Sequence, residues 1–226
     1  MKLARELGQA GTLLYATGLS ALSEIHCGRF RVAEARVQEL FALSEKYGLP
    51  FWRGFGELLR GCIFVATDRG DHATQLIGSG LSVLAATRMT LFSPFGLTWL
   101  ARAHATCGRV AEAQNALSEA LDAVSKTNER WDEAEIHRTA GELAASLLRA
   151  DPKATESHFQ KSLAIARRQD AKSFELRAAT SLARLSRDQG RQDVARELLA
   201  PIFGWFTEGF DMPDLIEAKR LLEELR

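Results

Sequence analysis

The sequence predicts an all-α chain, a right-handed α-solenoid of five helical hairpins followed by one capping helix, and three observations predict it. First, a small residue returns at a near-constant interval: Ala21, Gly61, Ala101, Gly141 and Ala183, with gaps of 40, 40, 40 and 42. Second, a parallel series runs Ala33, Ala73, Ala113, Thr155 and Ala195, and a bulky apolar residue follows each member by four positions: Val37, Ile77, Leu117, Phe159 and Leu199. Third, a chain breaker separates the two series within every period. Self-similarity at such an interval marks a repeat architecture. A small residue is required where two helix backbones approach closely, and a large one four positions on shares its helical face and fills the adjoining gap.

The elements follow in order. Gly28-Arg29, Arg69-Gly70-Asp71, Gly108-Arg109, Asp151-Pro152 and Gly190-Arg191 divide the first helix of each hairpin from the second. Gly48-Leu49-Pro50, Ser93-Pro94, Thr127-Asn128 and Asp170-Ala171 separate successive hairpins. Five hairpins result, at 11–48, 51–90, 93–127, 131–170 and 173–206, within a single array spanning 1–226. Residues 2–8 read as the tail of an earlier second helix. In the fourth period Gly141 keeps the spacing while Thr155 arrives two residues late, so the insertion belongs in the turn at 148–152; loops absorb insertions and packed helices do not. A last amphipathic segment at 213–225 carries Leu215, Ala218, Leu221, Leu222 and Leu225 on one face. Asp211 is its expected N-cap, and Pro213 is tolerated in the first turn. A lone amphipathic helix at the end of an array reads as a cap shielding the last hairpin. Trp205, Phe206 and Phe210, flanked by Gly204 and Gly209, are expected to wedge that cap against the fifth hairpin.

Composition narrows the function. Lys+Arg and Asp+Glu both total 29, so the chain is formally neutral; a broad nucleic-acid surface requires a basic excess and is not expected. No apolar run approaches the ~18 residues of a membrane span. Three cysteines, Cys27, Cys62 and Cys107, suit a reducing cytoplasm better than a disulfide framework.

The hairpin pattern, with its mid-helix small residues, resembles the tetratricopeptide repeat (TPR), although these periods are longer than the usual ~34 residues. Longer relatives occur in MalT-like regulators. More specific are the strings Trp131-Asp132-Glu133-Ala134-Glu135-Ile136-His137-Arg138, Ser173-Phe174-Glu175-Leu176-Arg177, Arg187-Asp188-Gln189-Gly190-Arg191 and Gly204-Trp205-Phe206-Thr207-Glu208-Gly209-Phe210-Asp211. They resemble the C-terminal array of large rhizobial-type proteins that carry a class III adenylate/guanylate cyclase domain and an AAA-type ATPase ahead of it. The resemblance implies a regulatory tail. It carries over neither activity, because the chain has no G-x-x-x-x-G-K-[ST] loop and no plausible aspartate pair for cyclase chemistry.

No residue group invites catalysis, a metal or a cofactor. His104 and Cys107 share a helical face, but no second pair completes a zinc site. Arg138 and Glu142 are spaced as a surface ion pair. Cys27 and Cys107 each precede a Gly-Arg turn and read as small hydrophobic plugs.

The TPR resemblance places binding side chains on the first helices, at fixed offsets from the small residue. Carried over, these are Tyr15 in hairpin one; Phe55 and Leu58 in hairpin two; Phe95 and Arg102 in hairpin three; Glu135, Arg138 and Glu142 in hairpin four; and Arg177, Arg184 and Arg187 in hairpin five. The expected groove is apolar at one end and arginine-rich at the other, where guanidinium groups suit a carboxylate or an acidic peptide. The expected function is non-catalytic: a protein- or peptide-binding module that regulates a cyclase or ATPase. The alternatives are a MalT-like sensor holding a small-molecule inducer near Phe55 and Phe95, or an oligomerisation arm self-associating through its N-terminal edge.

Overall fold

The computed structural model describes residues 9–67, 70–147 and 151–226, Asp71 through its backbone alone. The described residues form eleven helices and no strand: α1 (Ala10–His26), α2 (Phe30–Tyr47), α3 (Pro50–Ala66), α4 (Gly70–Ala86), α5 (Ser93–Thr106), α6 (Val110–Thr127), α7 (Glu133–Ala145), α8 (Pro152–Arg168), α9 (Lys172–Asp188), α10 (Gln192–Phe203) and α11 (Pro213–Glu224). The expected tail at 2–8, Arg69 of the second breaker and residues 148–150 of the expected insertion lie outside the described residues.

Contacts divide the chain into two compact units, one ending at Ala120 and the other starting at Leu121, so the boundary falls inside α6. In the first unit α1 pairs with α2 and α3 with α4, while α1 also touches α3, and α3 touches α5. In the second unit α7 pairs with α8 and α9 with α10, and α7 touches α9. The first helices α1, α3, α7 and α9 thus each pack on their own partner and on the first helix of a neighbouring hairpin. The last helix, α11, touches both α9 and α10, as α9 touches α7 and α8. It occupies the seat of a further first helix.

The turns are built alike. In α1, α5 and α9 the N–H of the glycine bonds three residues back and that of the following arginine bonds five back: Gly28 to Ile25 and Arg29 to Glu24, Gly108 to Ala105 and Arg109 to His104, Gly190 to Arg187 and Arg191 to Ser186. This double bond set closes a helix only if the intervening residue is left-handed, and Gly28, Gly108 and Gly190 have φ of 68°, 71° and 76°. The arginine after the glycine then reaches a preceding second helix: Arg109 donates to Thr74 Oγ1 (3.3 Å) and Arg191 to Glu156 Oε2 (2.9 Å). Thr74 and Glu156 each follow directly on a small residue of the second series, so one tie recurs in both units.

The two series meet in space. A methyl group on Gly61 would stand 2.4 Å from Ile77 Cγ1, and one on Gly141 would stand 2.5 Å from the Phe159 ring. The mid-helix small residue of the first helix therefore faces the bulky residue of the second, four positions past its own small residue. Ala21, Ala101 and Ala183 are buried in the same way. A contact against backbone carries no periodic signature: a methyl on Gly80 would lie 2.6 Å from the Gly54 carbonyl oxygen, and one on Gly54 would lie 2.5 Å from Val83.

At the C-terminal end two expectations are corrected. Helix α11 is preceded by Met212 at the N-cap position, with no side-chain cap, rather than by Asp211. The aromatic wedge is made by Phe203 and Phe206, which pack on the core of the second unit. Trp205 and Phe210 stay 57% and 50% exposed, because Trp205 turns its edge to Phe206 and lies under Lys172 instead of entering the core. The stripe Leu215, Ala218, Leu221 and Leu225 is buried as the helical spacing requires.

Candidate interaction surfaces

In the first unit the first helices bring aromatic side chains together. Tyr15 on α1 is half exposed and meets Trp52 of α3 edge-on, with ring centroids 6.1 Å apart. Trp52 packs edge-on against Phe55 (6.1 Å), and Phe55 stacks on Phe92 (4.5 Å). Gly18 makes room for this, since a methyl there would stand 3.1 Å from both the Trp52 and Phe55 rings. On α5 the Arg102 guanidinium lies over the Trp99 ring, 4.8 Å from its centroid, a cation–π contact.

Tyr15, Phe55 and Phe95 occupy equivalent places in their periods, six residues before the small residue, but they do not share an environment. Phe55, Leu58 and Phe95 are fully buried. Phe55 lies against Gly18 of the preceding first helix, and Leu58 is held between α4 at Gly80 and α5 at Gly96. These positions face the neighbouring helices, so the side chains expected along an apolar groove form the seams of the core. Tyr15 is the exposed member of the aromatic set, and Trp52 beside it is partly buried. Trp52 was legible as the residue three before Phe55, one helical turn away.

In the second unit the charged residues of α7, α9 and α11 form a linked group around Glu135 and two further sets of ion pairs between α9 and α11. Arg138 donates Nε and Nη2 to the two carboxylate oxygens of Glu135 at 2.8 and 2.9 Å, and also binds Glu142. Arg177 reaches the same Glu135 (3.6 Å) and donates to Asp214 of α11 at 2.6 Å. Arg184 pairs with Glu217, and Arg187 with Asp188 and Glu224. Glu135 is buried beneath this network, with a side chain 4% exposed. Burial opposes the charge on Arg138, but Glu135 and Glu142 more than offset it and hold the guanidinium above its ordinary range. Arg177 behaves likewise, its desolvation outweighed by Glu135 and Asp214.

No family model matches the sequence, and no curated protein does either. Among solved structures, a crystal structure of a point variant from Podosopora anserina, described as a kinesin light chain with nearly identical TPR-like repeats, matches with a TM-score of 0.50 at 18% identity, covering 84% of this chain and 92% of that one. A second structure of those repeats gives 0.49 with the same identity and coverage. At this identity the likeness concerns the fold. The chain folds as a TPR-like helical array.

Within that array, Glu135, Arg138, Glu142, Arg177, Arg184 and Arg187 are brought together and Tyr15 meets Trp52, whereas Phe55, Leu58 and Phe95 go to the core. The carboxylates that complete these ion pairs, Asp214, Glu217 and Glu224, flank the apolar stripe of the expected cap on the side that meets α9. Their signal in sequence was the acidic flank of the apolar stripe at 215–225.

Two open clefts flank these surfaces. One of about 500 Å³ is bounded by Glu57, Arg60, Phe64, His72, Gln75 and Ser79; the other, of about 310 Å³, runs over Phe159 between Glu142 and Arg184. Neither is lined by Phe55 or Phe95. Among the described residues no group of three or more His, Cys, Asp or Glu side chains could hold a metal ion, and no helix is long and apolar enough to cross a membrane. His137 and His158 face each other between α7 and α8 with ring centroids 6.2 Å apart, and their Nδ1 atoms are buried without a hydrogen-bond partner. Burial lowers both pKa values; His158 and Lys161 depress His137 further against the pull of Glu133, and Lys161 adds to the depression of His158.

Proposed function

We propose that this chain is a non-catalytic module that binds a protein or peptide and regulates a class III cyclase or AAA-type ATPase in the cytoplasm, as the C-terminal strings of its sequence suggest. The observation that carries the binding reading is the pairing of Tyr15 and Trp52 across two adjacent first helices, with Tyr15 half exposed. Tyr and Trp are enriched among the residues that dominate binding at protein interfaces, because they bury a large rigid surface at small entropic cost. Support for a purely interactive role comes from the fold: TPR-like repeats present extended surfaces rather than enclosed sites.

The test is isothermal titration of the chain with separately produced class III cyclase and AAA-type ATPase domains, paired with a cyclase rate assay. Saturable binding to one of them is expected, weakened at least tenfold by Trp52→Ala. Absence of heat with both domains, together with a cyclase rate indifferent to the chain, would overturn the proposal.

A further inference from the structure

Helix α9 carries Arg177, Arg184 and Arg187 at i, i+7 and i+10, and each is paired with a carboxylate of α11: Asp214, Glu217 and Glu224. The carboxylates stand at i, i+3 and i+10 of α11, and the apolar residues buried beneath them, Leu215, Ala218, Leu221 and Leu225, stand one position later at i+1, i+4, i+7 and i+11. Two adjacent stripes on one helix, one acidic and one apolar, thus meet an arginine row and the apolar core of the last hairpin. This is helix-in-groove recognition carried out within one chain.

Helix α11 is held by its apolar stripe, which packs into the core of the second unit, and the ion pairs beside that stripe play a different part. The helix is tethered to the last hairpin through residues 204–212. The side chains of the pairs Arg184–Glu217 and Arg187–Glu224 are 30–46% exposed, and exposed ion pairs contribute little to holding a helix in place. What the arginines add is selectivity: even with Glu135 beside Arg177 and Asp188 beside Arg187, three guanidinium groups along one helix favour an incoming helix that presents carboxylates over one that does not. The terminal segment answers them, carrying five acidic and three basic side chains over residues 211–226.

Building on the reading of this chain as an interaction module, we infer that α11 is a resident, exchangeable ligand, and that the partner segment displacing it from α9 and α10 is an acidic amphipathic helix with the same two-stripe register. Tethering gives α11 an effective concentration of about millimolar, so a partner helix engages only when it binds more tightly than the resident or when the resident is weakened.

The probe is a fluorescein-labelled synthetic peptide copying residues 211–226, titrated by anisotropy into the full-length chain. Weak binding is expected to the unaltered chain, and binding at least tenfold tighter to a chain bearing Asp214→Asn, Glu217→Gln and Glu224→Gln, whose resident helix has lost its charges. The corresponding amide-substituted peptide is expected to lose that affinity, as is the acidic peptide against a chain bearing Arg184→Glu and Arg187→Glu. A peptide with lysine in place of both Glu217 and Glu224 should restore binding to this last chain, which also shows that it is folded. No binding to the weakened chain, or binding that ignores the charge changes, overturns the inference. So does a weakened chain that dimerises by light scattering and excludes the peptide, because the occupant is then the helix of a second copy. All of these outcomes leave the Trp52 titration untouched, so this inference and the broader interaction reading fail separately.

Discussion

Gly78 and Gly80 sit two residues apart on α4 and offer a matched pair of substitutions. Alanine at either position adds one methyl group and gains about 1 kcal/mol of helix propensity. At Gly78 the methyl meets nothing within 4 Å. At Gly80 it lies 2.6 Å from the Gly54 carbonyl oxygen and 2.8 Å from both the backbone nitrogen and Cβ of Leu58. Ordinary contact begins at 3.4 Å, so α3 and α4 must part locally by up to 3.4 − 2.6 = 0.8 Å. Backbone atoms cannot rotate aside as a side chain would, and Gly54 is itself packed so closely that a methyl there would stand 2.5 Å from Val83. Overpacking of this kind costs about 1–3 kcal/mol. Because the propensity gain cancels between the variants, Gly80→Ala should be less stable than Gly78→Ala by about 1–3 kcal/mol. For a chain of this size that separates their thermal midpoints by roughly 2–12 °C, with Gly78→Ala at or above the parent. Thermal denaturation followed by circular dichroism at 222 nm measures the gap. Equal midpoints, or a higher one for Gly80→Ala, would refute the assignment of this pair as a backbone-to-backbone crossing.

Three other outcomes follow from the same packing. Glu135→Ala leaves the guanidinium groups of Arg138 and Arg177 without their shared buried carboxylate and should cost about 3–5 kcal/mol in urea denaturation; Glu142→Ala, at a side chain 41% exposed, should cost about 1 kcal/mol or less, and equal losses would contradict the burial of the network. The folded-state pKa values of His137 and His158 lie below 6.5, so their neutral forms contribute stability that is present above that pH and is lost as pH falls toward the lowered values. The urea midpoint should therefore drop between pH 7.5 and 5.5, and His158→Gln should shrink the drop; an unchanged drop would remove the pair as its source. Gly190→Ala meets nothing within 4 Å but sits at φ 76°, so it should cost about 1–2 kcal/mol from backbone strain alone, and a neutral result would mean that the turn adopts another conformation.

The sequence by itself determined the all-helical repeat and most of the core. Ala21, Gly61, Ala101, Gly141 and Ala183 could be read because a helix–helix contact needs a small residue at one fixed point of a repeating unit, and repetition makes the point visible. The glycine-led turns were legible for a related reason: a left-handed residue is required at one place, and Gly28, Gly108 and Gly190 supply it. The Gly54–Gly80 crossing was not legible, because it occurs once and has no period to reveal it. Tertiary structure alone decided which first-helix residues remain on a surface. Tyr15, Phe55 and Phe95 hold the same place in the repeat, and their exposure depends on the helix laid beside them. It also decided that the arginines of α9 are answered by Asp214, Glu217 and Glu224. Those partners lie more than thirty residues away in the chain, and charge complementarity between two helices is written in their relative placement, which local spacing does not encode.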